Sequence, residues 1–249
     1  MIQMDGSDHD WLEGRGPRLT LIGGIDDATG TVWACFRLGE DTRGYFEVLA
    51  EILEERGVPG AIYTDKTAIA LGTKRTPERV RTGTVNFDTQ MTRVLKRLGI
   101  ALIRAHSPQA KGRIERLWRT LQDRLLHELR AKQVSTLAGA QALLRIHLGY
   151  HNRNFVQAAR DPQPAWAALP DGLTPADAVV WTYPRTVTNG NTVSVDARRL
   201  QLEFAASSPG WARRRVLICQ RLDETWFATH LGQSVPATPL APEPTATAA

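Results

Sequence analysis

The sequence predicts a mixed α/β domain over residues 1–155 followed by a small all-β domain over residues 183–232, on three observations. Through residue 155, short β-rich runs alternate with segments of helical period, the pattern of a sheet flanked by helices. From residue 183 onward, four or five short β-rich runs follow one another with turn residues between them, which suggests a small barrel. The stretch between, residues 156–182, is rich in Pro, Ala and Asp and reads as a connector with a helical turn or two.

In chain order, residues 1–7 form a first strand that carries Asp5. Residues 18–25 and 31–37 are β-rich runs about a turn with Asp26, Asp27 and Gly30, the signal for a hairpin; the two aspartates are expected to shape it through side-chain to backbone hydrogen bonds. Thr42 caps a helix whose Tyr45, Phe46, Leu49, Ile52 and Leu53 recur at helical spacing and which ends at Gly57. Residues 61–64 are a short apolar strand that delivers Asp65 at its C-terminal end. Residues 66–86 show no period and read as a loop. A helix over 89–98 buries Met91, Val94, Leu95 and Leu98, and residues 100–103 form a further strand.

Two long helices follow, over 109–130 and 136–152, the second with Leu137, Ala140, Leu144 and Leu148 as its apolar stripe. In the second domain a hairpin is expected about Asn189, Gly190 and Asn191, followed by three more strands. The Pro, Ala and Thr tail, residues 233–249, is expected to be disordered. The order strand, hairpin, helix, strand, helix, strand, long helix is that of a ribonuclease-H-like mixed five-stranded sheet with flanking helices.

Composition narrows the function classes. The net charge is +5 and the isoelectric point about 9.5, which favours a polyanionic partner. Arg and Lys gather at residues 74–81, 93–104, 111–130 and 213–221. A solvated face explains any one of these runs; several, with acidic motifs between them, point to nucleic acid. No stretch approaches the roughly 18 apolar residues of a membrane span, so the expectation is a cytoplasmic protein, nucleoid-associated when bound to DNA. Cys35 and Cys219 sit in apolar runs and read as core filler. No phosphate-cradling loop, dinucleotide fingerprint or nucleophile elbow is present.

The chemistry rests on three carboxylates. In the predicted topology the first and fourth strands are neighbours, so Asp5 and Asp65 can face each other while the long helix supplies Glu115. Three hard oxygen ligands suit Mg²⁺ or Mn²⁺, as two ions about 4 Å apart in two-metal phosphoryl transfer. On that helix Ile114, Leu117, Trp118, Leu121, Leu125 and Leu129 form an apolar stripe, beside a polar one of Lys111, Glu115, Arg119 and Gln122. An exposed helix with ordinary Lys–Glu and Glu–Arg pairs would look the same. Asp8, His9 and Asp10 could be a second ligand cluster but read more simply as a solvated loop. Ser107 reads as a helix cap and His106 as a possible phosphate contact. Trp118, Trp166, Trp181, Trp211 and Trp226 could stack bases, though core packing is the simpler reading for most. Arg213, Arg214 and Arg215, on a presumed strand, must place at least one side chain where it can touch phosphate.

These segments resemble the DDE transposases of bacterial insertion sequences, of the ISNCY type, and more distantly the retroviral integrases. The first-acid segment is GlnMetAspGlySerAspHisAspTrpLeuGluGlyArgGlyPro from residue 3, the hairpin IleAspAspAlaThrGly from residue 25, and the second-acid strand TyrThrAspLys from residue 63. The third-acid helix is HisSerProGlnAlaLysGlyArgIleGluArgLeuTrpArgThrLeuGlnAspArgLeu from residue 106. The resemblance covers roughly residues 2–155. It implies a catalytic and metal-binding triad of Asp5, Asp65 and Glu115. It also implies DNA contacts from Lys111, Gly112, Arg113, Arg116 and Arg119, and a barrel that binds DNA non-specifically.

The activity so implied is metal-dependent cleavage and transfer of DNA strands by a homo-oligomer on transposon ends and target, without a nucleotide cofactor. The chain opens four residues ahead of Asp5, where the family carries helix-turn-helix modules, so the expectation is an N-terminally shortened transposase. After Asp65, Lys66 stands where relatives more often continue with an Arg-His type of segment. A non-catalytic DNA-binding remnant, acting as a dominant-negative regulator, is the alternative; a free-standing nuclease is a third reading.

Overall fold

A computed structural model describes residues 1–64, 89–104, 112–161, 163 and 165–241. Asp65, the expected loop 66–86, His106, Ser107 and Lys111 lie outside the described residues. The chain divides into two compact units, Met1–Ala178 and Val179–Ala249.

The first unit is built on a five-stranded sheet. Strands β1 (Ile2–His9), β2 (Leu19–Asp26) and β3 (Val32–Arg37) form an antiparallel meander, and β5 (Ala61–Thr64) and β6 (Ala101–Arg104) add in parallel on the far side of β1. The resulting order β3-β2-β1-β5-β6 is the mixed ribonuclease-H-like arrangement expected from the element order. A two-residue strand, β4 (Val58–Pro59), precedes β5.

Helices cover both faces. Helix α1 (Thr42–Arg56) buries Tyr45, Phe46, Leu49, Ile52 and Leu53, the stripe expected from their spacing. Its cap is Asp41 rather than Thr42: the Asp41 carboxylate accepts from the Gly44 amide at 2.8 Å, and Thr42 is already the first helical residue. A carboxylate adds favourable charge at the positive end of the helix, which a hydroxyl does not. Helix α2 (Gln90–Arg97) starts from Thr89, which exchanges hydrogen bonds with Thr92 in a capping box.

Helices α3 (Gly112–Ala131) and α4 (Leu137–Asn154) cover the opposite face. There Trp11, Leu19, Leu21, Ala34 and Phe36 pack with Ile114, Leu117, Trp118, Leu121, Leu125, Leu129 and Leu144 in one buried cluster. The loop that follows β1 is tied to the end of α3. Arg15 Nε donates to the Val134 carbonyl at 3.3 Å, and Glu13 accepts from Arg130 and Arg15; the hydrogen bond from Arg130, then that from Arg15, pulls its pKa down to about 2.

The chain after α4 does not leave the first unit at once. Gln157 donates its amide to the Thr29 carbonyl at 2.9 Å. Strand β7 (Trp166–Ala167) pairs antiparallel with β4, and Trp166 meets Trp33 edge-on at 6.5 Å. Arg97 donates to the Asp177 carbonyl from within α2 at 3.2 Å, beside the short helix α5 (Pro175–Ala178). Much of the expected connector therefore packs on the α/β unit.

The second unit is a near-closed six-stranded antiparallel barrel, in the order β8-β11-β12-β13-β10-β9. Its strands are β8 (Trp181–Thr186), β9 (Thr192–Val195), β10 (Arg198–Leu202), β11 (Arg215–Gln220), β12 (Trp226–His230) and β13 (Gln233–Pro239). Across the gap between the two end strands, Arg185 Nε donates to the Ser194 carbonyl at 2.7 Å. Val193, Val195, Leu200, Leu202, Trp211, Val216, Ile218 and Trp226 fill the interior.

Two expectations need correction here. The turn at Asn189–Asn191 does not join a ladder pair: β8 and β9 lie at opposite ends of the strand order, and the tight hairpin is β9–β10, whose turn residues Asp196 and Ala197 both have positive φ. The tail expected from residue 233 instead supplies strand β13 through Pro239, between β12 and β10. Its inward residue Ala237 stands opposite Trp226, and a small side chain is what leaves room for the indole. Residues 242–249 lie outside the described residues.

Cys35 and Cys219 are both buried and unbridged, and burial pushes the Cys35 thiol pKa up, as core filler requires. Among the described residues no helix is long and apolar enough to cross a membrane.

Candidate active site

The site begins with the two faces of β1. Ile2 and Met4 lie against Gly24 on the side where Ile52 of α1 packs. Gln3, Asp5 and Ser7 alternate with them and face α3, because successive strand residues point to opposite sides. Each of the three meets a helix residue. Gln3 Oε1 accepts from the Ile114 amide at 3.3 Å, Asp5 Oδ2 from Trp118 Nε1 at 3.3 Å, and Ser7 Oγ from Gln122 Nε2 at 3.1 Å. Residues two apart on a strand are separated by about 6.6 Å and residues four apart on a helix by about 6 Å. The near-match lets α3 run alongside β1 with all three contacts made at once.

Glu115 sits on this helix three residues before Trp118, thus one turn nearer its N-terminus, and is exposed. Asp5 is half-buried. Asp5 and Glu115 thus lie on adjoining elements, while Asp65 lies outside the described residues. Among the described residues no three His, Cys, Asp or Glu side chains form a metal-binding group. What is present fits a hard cation in kind: a half-buried carboxylate and an exposed one on adjoining elements, both oxygen donors.

Gly23 makes room for the indole. It stands opposite Asp5 in the antiparallel register of β1 and β2, and a Cβ there would come within 2.8 Å of Trp118 Cη2 and 3.0 Å of the Trp33 carbonyl oxygen. The N-terminus of α3 is held from the hairpin. Asp27 Oδ1 accepts from Gln3 Nε2 at 3.0 Å and pairs with Arg113 Nε at 3.1 Å. Gln3 thus satisfies a free amide of the first helical turn with one end and anchors Asp27 with the other.

The remaining predicted residues distribute as follows. Asp26 shapes the hairpin turn, accepting from the Ala28 amide and the Thr29 hydroxyl, whereas Asp27 reaches across to α3. Asp8 and His9 close strand β1 instead of lying in the expected loop, with Asp8 paired to Arg18, and Asp10 follows the strand and accepts from the Gly14 amide. Arg113, Arg116 and Arg119 are exposed on α3, which Gly112 begins. In the barrel, Arg213 and Arg214 lie in the turn before β11 and Arg215 is its first residue; all three are exposed, with Arg213 Nε donating to Asn189 Oδ1 at 2.9 Å.

Sequence reasoning missed Gln3, Ser7 and Gly23 as parts of the site. The signal was available: in β1 the polar residues Gln3, Asp5 and Ser7 occupy alternate positions between apolar or small ones. Trp118 does belong to the apolar stripe, and the structure adds its hydrogen bond to Asp5.

A five-stranded mixed sheet in the order β3-β2-β1-β5-β6 with helices on both faces has the ribonuclease-H-like, integrase-core-like architecture. The particular likeness is to transposases. Over 234 residues the chain is 35% identical to y4bF of Sinorhizobium fredii, assigned as a transposase, a match that covers 91% of this chain and 50% of that protein. Over 157 residues it is 36% identical to the transposase for insertion sequence IS1202 of Streptococcus pneumoniae, covering 62% of this chain and 32% of that one. The chain is thus similar in sequence to transposases, and it spans half or less of the length of the curated relatives it matches.

No protein-family model matches it. Among solved structures, similar folds occur in the simian T-cell lymphotropic virus intasome in complex with the PP2A regulatory subunit B56 gamma and in the catalytic core domain of BIV integrase. The first is 14% identical with a TM-score of 0.47, covering 98% of this chain and 79% of that chain. The second is 18% identical with a TM-score of 0.41, covering 72% and 91%.

Proposed function

We propose that this chain carries the catalytic core of a DDE-type polynucleotidyl transferase, cleaving one DNA strand and transferring the new end to a target, with Asp5, Asp65 and Glu115 as the catalytic carboxylates. The observation that carries the reading is the seating of α3 along β1, in which Trp118, one turn from Glu115, contacts Asp5. The parallel pairing of β1 with β5 supports the third member: it matches Ile2 with Ile62 and Gln3 with Tyr63, and the same offset separates Asp5 from Asp65 in the sequence.

The carboxylates would hold Mg²⁺ or Mn²⁺, which supply a nucleophile of lowered pKa and neutralise charge on the leaving oxygen. Asp5, held from α3, presents an oxygen from the sheet; Glu115 presents one from the helix. In the first step water attacks the scissile phosphorus and the bond to the 3′ oxygen breaks, leaving a 3′-hydroxyl and a 5′-phosphate. In the second that hydroxyl attacks a target phosphodiester, releasing a new 3′-hydroxyl. Arg113, Arg116 and Arg119, exposed on α3, would track the backbone together with Lys111 and Gly112, and the barrel would add contacts through Arg213, Arg214 and Arg215. A homo-oligomer would bring two DNA ends together.

The test uses the full chain with DNA carrying the segments that flank its gene, in Mg²⁺ or Mn²⁺, with nicked and joined products separated on a denaturing gel. Joined products are expected from the wild type and none from Asp65→Asn; full activity in that variant would sink the assignment. Nicking without joining would favour a nuclease.

Reversal of the barrel charges gives an independent check. Replacing Arg213, Arg214 and Arg215 by glutamate should weaken DNA binding on every sequence alike. The slope of log affinity against log salt should become shallower by about 1 to 3, since each lost phosphate contact removes about 0.9. Fluorescence anisotropy across a salt series measures it, and an unchanged slope removes the barrel from the interface.

A further inference from the structure

We infer that Trp118 is the positioning residue of the first carboxylate: its indole N–H holds Asp5 Oδ2 and so fixes the direction in which the second oxygen of that carboxylate faces. The inference rests on the metal-site reading above and goes beyond it by giving a role to a residue outside the triad.

Four observations converge on the indole. Trp118 is 6% exposed, and a largely buried indole usually finds an acceptor for its N–H within the protein. The acceptor it finds is an Asp5 oxygen at 3.3 Å. Leucine or phenylalanine would fill the apolar stripe of α3 equally well, whereas only an indole among the apolar aromatic side chains also brings a donor. The space it occupies is prepared, because Gly23, the cross-strand partner of Asp5, has no Cβ to meet Trp118 Cη2. The contact is also the middle of three, flanked by the Gln3–Ile114 and Ser7–Gln122 bonds, so neither the strand nor the helix can slide to release it.

An aspartate on a strand has two rotatable bonds, and a metal ligand that must be ordered on binding binds more weakly than one already in place. Groups that orient a ligand from behind typically contribute ten- to a hundredfold to metal affinity. Trp118 stands in that relation to Asp5, whose carboxylate it touches.

The test compares Trp118→Phe with Trp33→Phe in the full chain. The second variant removes an indole that donates to Glu55 at 2.8 Å, away from the acids, and so controls for loss of a buried indole bond. The sequence holds seven tryptophans, and the indole ¹⁵N–¹H signal missing from Trp118→Phe identifies the residue in the wild-type spectrum. That signal is expected to be the indole signal most displaced by Asp5→Asn. Free-Mn²⁺ measurement by electron paramagnetic resonance is expected to show binding weakened about tenfold or more in Trp118→Phe and unchanged in Trp33→Phe, with both variants folded.

A Trp118 indole signal unmoved by Asp5→Asn overturns the inference, as does wild-type Mn²⁺ affinity in Trp118→Phe. Failure of the wild type itself to bind Mn²⁺ counts against the metal-site reading instead; the hydrogen bond is then judged by the indole signal alone.

Discussion

Asp5→Asn is expected to lower the rate of strand cleavage by about a thousandfold or more while leaving the melting temperature within a degree or two of the wild type. The amide keeps the shape of the side chain and can still accept from Trp118 Nε1, so packing of α3 on β1 survives. What it loses is the negative charge and, on the proposed function, a strong oxygen ligand at the point where the reaction would concentrate charge on a phosphoryl group. A thousandfold is about 4 kcal/mol of transition-state stabilisation, a reasonable share for one of three ligands in a site that works by charge neutralisation. The measurement is the single-turnover rate of nicking beside a thermal melt. A large fall in both would mean that Asp5 holds the fold; a fall in neither would place the chemistry elsewhere.

The largest effect on stability is expected from Trp11→Ala, which should cost about 3 to 5 kcal/mol. Trp11 is fully buried in the cluster between the sheet and the helices α3 and α4. Its ring meets Phe36 edge-on at 5.4 Å and its Nε1 donates to the Ser7 carbonyl at 3.3 Å. Truncation would leave a cavity at the end of the strand that carries Asp5 and remove the indole bond to the Ser7 carbonyl. For a unit of this size the loss corresponds to a fall on the order of 10 °C in melting temperature, readable by calorimetry. A loss below about 1 kcal/mol would show that the surrounding loop collapses into the space.

How much of this was legible follows from how local each signal is. The strands and helices of the first unit were readable because apolar residues at period two and period 3.6 report burial directly, as with Tyr45, Phe46, Leu49, Ile52 and Leu53 on α1. The candidate carboxylates Asp5 and Glu115 were readable because each lies in a recognisable strand or helix. The cap of α1 was misread by one residue, since Asp41 and Thr42 are both good caps and only the backbone geometry chooses between them. The barrel was harder. Asn189, Gly190 and Asn191 are strong turn formers, but which strands a turn joins is decided by pairing across the whole barrel. The hairpin that does form turns through Asp196 and Ala197, without a glycine to mark it. Strand β13 was hidden by its composition: Pro and Thr suggest a tail, and the need for a small residue opposite Trp226 exists only in three dimensions. The polar alternation of β1 pointed to Gln3 but not to its two partners, Asp27 and Ile114, which are 24 and 111 positions away.

The three contacts between β1 and α3 behave like a vernier, two scales of slightly different pitch read against each other. The strand advances about 6.6 Å for every rung and the helix about 6 Å, so agreement holds over the three rungs seen and would drift with each one added. Substituting a side chain removes one rung and leaves the others to keep alignment. Changing the length of either scale does something else: one residue inserted between Ile114 and Trp118 turns everything beyond it by about 100° and takes the Asp5 and Ser7 rungs out of step together. In this arrangement the spacing of residues carries information that their identities do not, and the distance from sheet acid to helix acid is kept by counting.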